Sequence, residues 1–195
     1  MLNERTPYSV LSVASSTGIY ENLSAILPVS SFSPVLQVSS CGEAKRLLVS
    51  SPFDIIIVNA PLPDEFGTEF ALNLIKDSNS SVILMVKNEL YDEISYKVEE
   101  YGIMTIAKPT TKAILYQTIK LAAATNSRFK MLEKNNENVI SKMEEIRIVN
   151  RAKWVLIKYL NMSEDRAHKY IEKQAMNMRV TKREVAENII KTYEN

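Results

Sequence analysis

The chain has 195 residues, a formal net charge of +1 and a single cysteine, Cys41. Its apolar content of 46% and charged content of 24% are those of an ordinary globular protein, and its length has room for one or two domains. One cysteine excludes a disulfide framework within the chain and a cysteine-based metal cluster, and the lack of a long apolar run or a signal-peptide pattern leads us to expect a cytoplasmic protein without membrane partners.

The two ends of the chain differ in charge. Residues 1–120 carry 9 basic and 13 acidic side chains, whereas residues 147–195 carry 11 basic and 6 acidic ones. A basic tail on an acidic body suggests a polyanionic partner for the tail.

The first part of the chain, residues 1–124, alternates short apolar runs with helix-like segments. Short strands rich in Val and Ile that are separated by helices indicate a parallel sheet covered on both faces. The predicted strands are Tyr8–Val13, Val35–Val38, Asp54–Val58, Val82–Val86 and Ile103–Ile106. The predicted helices are Ile19–Leu27, Glu43–Val49, Glu69–Lys76, Tyr91–Tyr101 and the stretch that begins at Thr111. This pattern predicts an α/β domain of the flavodoxin-like, doubly wound (βα)5 type.

One segment of this domain resembles a known family. The sequence from Asp54 to Gly67, DIIIVNAPLPDEFG, is similar to the third strand and following loop of response-regulator receiver domains. The pair Lys108-Pro109 is similar to the Lys-Pro step after their fifth strand, which is usually cis in that family. The resemblance implies a CheY-like domain whose reactive site lies beyond the carboxyl ends of the strands.

The reactive positions of the receiver family are changed in this chain. The phosphoacceptor aspartate falls on Asn59, the acidic pair that holds Mg²⁺ falls on Ala14 and Ser15, and the hydroxyl residue that ends the fourth strand falls on Val86. An amide is not a nucleophile for phosphoryl transfer, and alanine offers Mg²⁺ no oxygen ligand. We therefore predict a pseudo-receiver that takes up no phosphoryl group, metal or cofactor. In it, Lys108 is a structural partner of Asn59 or an anchor for an unphosphorylated ligand.

Three other reactive side chains in this domain are interpreted as structural or solvated. Cys41 has no second cysteine and no nearby histidine in the sequence, so we expect a small buried residue rather than a nucleophile. Asp64 and Glu65 lie on the predicted loop after the third strand. We expect solvent to surround both carboxylates.

The stretch Thr111–Leu160 contains neither Gly nor Pro and is predicted to be one nearly unbroken helix. Apolar residues recur along part of it at heptad spacing, with Asn136 and Asn150 in the two remaining positions. This seam consists of Phe129, Leu132, Val139, Met143 and Ile146. A seam on a solitary helix would face water, so it predicts a coiled coil over residues 125–146 and a parallel homodimer. The alternative is a bent helix that folds back on its own domain.

Two further helices are predicted near the end of the chain. Ser163 is followed by Glu164 and Asp165, which is typical of a capping hydroxyl with acidic residues in the first helical turn. The sequence Thr181-x-x-Glu184 is a capping box. Together with the end of the long helix, these segments predict a small all-α bundle of three helices over residues 147–195.

The bundle resembles the ANTAR domain of antiterminator response regulators. The matching residues are Ala152-Lys153, Leu156, Ser163-Glu164, Ala167, Ala175-Met176, Arg179 and Val185-Ala186. The order of receiver, coiled coil and ANTAR domain is also that family's architecture. The resemblance implies a non-enzymatic RNA-binding antiterminator that holds paired hairpins in a nascent leader transcript. Two positions depart from the family: Trp154 stands where Gly is usual, and Glu172 stands where Arg is common.

The bundle also contains residues suited to RNA contact. Basic groups bind phosphates, and aromatic rings stack on splayed loop bases. The predicted RNA-binding residues are Arg151, Lys153, Tyr170, Lys173, Arg179 and Lys182. Trp154 is a further stacking candidate, although for Trp154 and Tyr170 a place in the core is the stronger expectation. His168 has no partner ligand in the sequence and is expected at the surface or an interface.

Two other functions remain open from the sequence. A DNA-binding regulator also combines a receiver with helices, but residues 163–193 lack the short Gly turn of a helix-turn-helix motif and a richly basic recognition helix. A protein-interaction module is the other alternative, with the pseudo-receiver as docking surface for a partner protein. No constellation of residues supports an enzyme.

Overall fold

The computed structural model describes residues 6–194. The chain forms two compact units, with the boundary between Met131 and Leu132. The predicted domain limits at residues 1 and 195 lie outside the described part. No helix within it is both long enough and apolar enough to cross a bilayer.

The first unit contains a five-stranded parallel sheet. Its strands are β1 Tyr8–Val13, β2 Phe32–Val38, β3 Ile55–Asn59, β4 Ser81–Lys87 and β5 Met104–Lys108, in the order β2-β1-β3-β4-β5. The central strand β3 is apolar from Ile55 to Val58, and all four of these residues are fully buried. A strand buried on both faces needs such a continuous apolar run. The predicted doubly wound α/β fold is confirmed.

Helices cover both faces of this sheet. In chain order they are α1 Gly18–Ile26, α2 Cys41–Ser50, α3 Thr68–Asp77, α4 Tyr91–Val98 and the first part of α5 Lys112–Leu160. One core layer contains Phe70 and Val98, and the other contains Leu23 and Ile119. Because the strands are parallel, the carboxyl ends of β1, β3, β4 and β5 lie at the same edge of the sheet.

Two predicted elements differ from the structure by three residues at one end, and the others agree within two residues. Strand β2 begins at Phe32, three residues before the predicted start, and includes Pro34 after a cis Ser33–Pro34 bond. Proline is tolerated here because β2 is an edge strand, which needs fewer ladder donors. The predicted helix Tyr91–Tyr101 is α-helical only to Val98 and ends in a 3₁₀ turn before Gly102, whose positive φ of 74° stops the helix.

The second unit is a bundle formed by the end of α5, α6 Glu164–Met178 and α7 Lys182–Tyr193. Its core includes Leu156 from α5, Ile171 from α6 and Ala186 from α7. Both predicted helix starts are present, because Ser163 caps α6 and Thr181 forms a capping box with Glu184 at the start of α7. The prediction of three helices in this region is confirmed.

Helix α5 is continuous over 49 residues. The five predicted seam residues are each between 55% and 62% exposed, so the described chain leaves more than half of the surface of each open to solvent. The alternative in which this stretch bends and packs its seam on its own domain is therefore wrong. Dimerisation itself stays a prediction.

Candidate functional sites

The carboxyl edge of the sheet brings Asn59 and Lys108 together, as the sequence predicts. The Lys108 ammonium donates to Asn59 Oδ1 at 2.6 Å and also to the backbone carbonyl of Ala60. Asn59 ends β3 and Lys108 ends β5, so the parallel register places both at the same edge. The peptide bond from Lys108 to Pro109 is cis, as in the receiver family. Both oxygens that hold the ammonium are uncharged.

The other three predicted positions of this site supply no reactive group. Ala14 is fully buried, and its backbone N–H donates to the carbonyl of Val38 at 2.9 Å. Val86 is also fully buried, which puts a hydrocarbon where receivers have a hydroxyl. Ser15 is exposed. No carboxylate from these positions is available to hold a divalent cation.

The charge at this edge is positive. Burial lowers the pKa of Lys108, and the nearby Lys87 ammonium lowers that pKa further. Lys87 and Lys108 are register partners at the ends of β4 and β5. A cavity of about 220 Å³ opens beside Lys108, between β5, α1 and the start of α5.

Asp64 and Glu65 lie on the loop after β3, where Asp64 is exposed as expected and Glu65 is half-buried, and both also contact α2. The Asp64 carboxylate accepts hydrogen bonds from the N–H of Gly42 at 2.8 Å and of Cys41 at 3.1 Å. These bonds hold the pKa of the Asp64 carboxyl below its usual range, and the bond from Gly42 has the larger effect. Glu65 pairs with Lys45 at 2.8 Å. The loop thus caps the first turn of α2, a contact between segments that no local pattern indicates.

Cys41 is buried, as expected. Burial is the main reason that its pKa is raised to about 12, and the carboxylates of Glu65 and Asp64 add to the effect. The three side chains lie within 4.8 Å of one another. The Asp64 carboxylate is engaged by the N–H groups of Cys41 and Gly42, and Glu65 by Lys45, so this cluster forms a capped helix start.

The basic residues of the bundle divide into paired and free cations. Lys153 lies 3.0 Å from Glu164, Arg151 Nε lies 2.8 Å from Glu194, and Lys182 pairs with Glu172. Lys173 and Arg179 are exposed, and neither forms an ion pair with any residue between 6 and 194. Arg179 also ends α6 with φ of 54°, a left-handed conformation that glycine more often adopts. Lys153 keeps only 16% of its side chain exposed.

The expectation that Trp154 lies in the core is wrong. Its side chain is 72% exposed, whereas Ala152, Val155 and Leu156 are buried. A helix turns by about 100° per residue, so Trp154 points roughly opposite to Ala152 and away from the bundle core. Tyr170 is also exposed, and both rings are therefore available for stacking.

A second basic feature of the bundle was missed in the sequence. Lys142, Lys153, His168 and Lys182 line a common cavity of about 450 Å³ together with Ile146. His168 Nε2 lies 3.4 Å from Glu172 Oε1, one helical turn later. In the sequence, only the four-residue spacing of His168 and Glu172 points to this feature. The lysines that line the cavity lie on other helices, so no local pattern links them to His168. Glu172 holds two basic groups here and lowers the local positive charge.

Comparison with known proteins agrees with this arrangement. The ANTAR domain family matches residues 137–190. The chain is also 23% identical to the transcriptional regulatory protein PdtaR of Mycobacterium tuberculosis over 186 residues, which are 95% of this chain and 91% of that protein. The chain has the architecture of an ANTAR response regulator. The family resemblance drawn from the sequence is confirmed.

Solved structures match the first unit of the chain. The signal receiver domain of an HD domain-containing protein from Pseudomonas fluorescens Pf-5 superposes with a TM-score of 0.57 at 20% identity, covering 67% of this chain and 98% of that one. A CheY-like receiver domain from Methanospirillum hungatei gives a TM-score of 0.54 at 21% identity, covering 63% and 98%. At this identity the match establishes the receiver fold alone.

Proposed function

We propose that this response regulator is a non-enzymatic, RNA-binding transcription antiterminator that binds paired hairpins in a leader transcript as a homodimer. The observation that carries the proposal is the ANTAR match over residues 137–190, because ANTAR domains bind RNA. The role of the individual residues stays a proposal, as do the predicted domain limits 1–124, 125–146 and 147–195.

The surface of the bundle supports an RNA contact. Lys173 and Arg179 offer exposed cations without a competing carboxylate in the described chain, so they bind phosphate without first breaking an ion pair. Trp154 and Tyr170 offer exposed rings for unstacked bases. Lys153, Arg151 and Lys182 reach RNA only by exchanging Glu164, Glu194 and Glu172, respectively, for phosphate.

The exposed seam of α5 supports the dimer. Five apolar side chains at heptad spacing are open to water in the single chain, and burying each against a second copy gains about 1.5–3 kcal/mol. A parallel dimer carries two ANTAR bundles. Two linked sites raise the effective local concentration of the second hairpin, so paired hairpins bind more tightly than a single one.

The receiver is proposed to act without phosphorylation. The family's nucleophile is replaced by the amide of Asn59, which is already held by Lys108, and Ala14 and Ser15 supply no carboxylate for Mg²⁺. Dimerisation is then controlled by concentration, by RNA or by another ligand.

The test begins with sequencing the RNA that copurifies with the protein. Its hairpins are then titrated singly and in tandem, by filter binding at two salt concentrations. We expect the tandem RNA to bind much more tightly. Lys173→Ala, Arg179→Ala and Lys153→Ala should each weaken binding about 5- to 30-fold, the effect of losing one charge-assisted contact of about 1–2 kcal/mol, and each should reduce the salt slope by about one unit.

The matched control is Lys120→Ala, which removes the charge of an exposed lysine from the receiver and should leave RNA affinity unchanged. If tandem and single hairpins bind alike, and the three variants bind like the wild type, the antiterminator proposal is wrong. A protein-interaction module would then be the better account.

A further inference from the structure

The receiver contains a positively charged cavity at the place where phosphorylated relatives carry negative charge. The cavity of about 220 Å³ is lined by Asn22, Asn59, Lys108, Thr110 and Lys112 among others. Lys87, which is the register partner of Lys108 on the neighbouring strand, lies at the same edge of the sheet. Within residues 6–194, none of the three lysines forms an ion pair.

The Lys108 ammonium is not neutralised by its contacts. It donates to two neutral oxygens, Asn59 Oδ1 and the carbonyl of Ala60, and an ammonium has three protons to donate. The depressed pKa of Lys108 has the same origin, since burial and Lys87 act on it without an opposing carboxylate. A charge held in this way is stabilised by any anion that reaches it.

Besides apolar residues such as Ile19, Met85 and Leu115, the cavity lining offers further hydrogen-bond donors. The Asn59 amide accepts from Lys108 through its oxygen, which leaves its NH₂ group to donate. Thr110 adds a hydroxyl. Helix α5 begins beside the cavity, where Thr111 caps the N–H of Ile114 at 3.2 Å, and the positive end of the helix dipole adds to the field of the lysines.

We propose that this cavity binds a phosphate-type oxyanion non-covalently, as free phosphate or as the phosphate group of a small phosphomonoester. The volume is below the roughly 300–1,000 Å³ of a typical drug-sized site, so the cavity fits the anionic group and little more. The proposal rests on the unphosphorylated receiver described above. Binding requires no divalent cation, because Ala14 and Ser15 supply no carboxylate to hold one.

The test measures thermal stabilisation and isothermal titration of the full-length protein without RNA, using inorganic phosphate and glycerol 3-phosphate at constant ionic strength. We expect saturable binding of at least one of the two, unchanged by Mg²⁺ or by a chelator. Binding of phosphate identifies the free ion as sufficient, and binding of the ester alone identifies a larger ligand. Mass spectrometry of the same samples should find no covalent adduct.

Two variants locate the site. Lys108→Met should reduce affinity at least tenfold, and the matched Lys120→Met, at an exposed lysine of α5, should not. Because Lys108→Met risks disturbing the fold, Asn59→Asp provides a second measurement: it places a carboxylate in the cavity, keeps a partner for Lys108, and should also reduce affinity at least tenfold. Absence of saturable binding, or binding that both variants leave intact, would overturn the proposal. The RNA titrations are independent of this result, so the two proposals fail separately.

Discussion

The side-chain amide of Asn126 donates to the backbone carbonyl of Asp54 at 3.0 Å. The same amide donates to the carbonyl of Asn79 at 2.9 Å, and one turn later Lys130 pairs with the Asp54 carboxylate. That carboxylate also accepts the N–H of Ser9 at 2.8 Å. One turn of α5, at the start of the proposed coiled coil, is thus fastened to the amino end of the sheet, opposite to the edge that holds Lys108.

Removing the Asn126 amide should destabilise the receiver unit. Asn126→Ala removes both hydrogen bonds donated by a buried amide, which at about 0.5–1.5 kcal/mol each costs about 1–3 kcal/mol of unfolding free energy. Urea unfolding followed by circular dichroism measures the change. The control is Asn135→Ala on the exposed surface of the same helix, which should have little effect. Equal midpoints for the two variants would contradict the structural role of Asn126.

Charging the seam should produce monomers. In the double variant Val139→Lys with Ile146→Lys, like charges in a parallel dimer face their own copies, and apolar burial is lost. Sedimentation equilibrium at several concentrations measures the mass. Met131→Lys provides the control, because Met131 is exposed on α5 outside the heptad positions. A dimer that survives the double substitution would place the interface elsewhere, with the receiver face as the next candidate.

The protein should form no adduct with acetyl phosphate and no Mg²⁺-dependent complex with the fluoroberyllate mimic. The amide of Asn59 does not attack phosphorus, and Ala14 and Ser15 leave Mg²⁺ without carboxylate ligands. Intact mass spectrometry with and without Mg²⁺ measures the adduct. Asn59→Asp supplies a carboxylate but no metal ligands at Ala14, so we expect it to stay largely unmodified. A stable adduct on the wild type would show that another residue accepts the phosphoryl group.

The capping carboxylate of Asp64 should make stability depend on pH under acidic conditions. Its folded-state pKa lies below the usual 3.8, so the cap contributes stability above that pH and loses it as the pH falls through the lower folded value. Asp64→Asn keeps an acceptor oxygen without the titration. The wild type should therefore lose its advantage over the variant as the pH falls below about 4 and through the lowered folded-state pKa, measured as urea midpoints.

The control for this experiment is Glu137→Gln, an exposed carboxylate of α5 that forms no ion pair within residues 6–194. Its stability difference from the wild type should vary little over the same range. An Asp64→Asn difference that also stays constant with pH would mean that the carboxylate charge contributes nothing to the cap.

Two kinds of feature could be predicted from the sequence: the elements that follow from local hydrophobic periodicity, and the residues whose position in the fold follows from the strand topology. Apolar runs such as Ile55–Val58 fix the buried strands, and parallel topology then places Asn59 beside Lys108, as found. The sequence does not predict contacts between distant segments. The cap of α2 by Asp64 joins residues 22 apart, and the bond from Asn126 to Asp54 joins residues 72 apart. Neither has a signature in the intervening chain.

Side-chain exposure in the bundle was also beyond simple patterns. Trp154 was expected in the core because large aromatic residues are usually well buried, but its helical phase opposes that of Ala152. The partners of Lys153 and Lys182 are carboxylates from other helices or turns. Which basic residues are free for RNA is therefore a property of the packed bundle and not of its composition.

Arg179 carries a consequence for how this protein would evolve. Its backbone occupies the left-handed region at φ 54°, where glycine would relieve roughly 1 kcal/mol of strain, yet its guanidinium is one of the free cations proposed for RNA. The requirements for thermal stability and for RNA affinity therefore favour different residues at position 179. A library selected only for survival of heat should drift to glycine at this position, whereas a library selected for RNA capture should retain arginine and accept the weaker helix end.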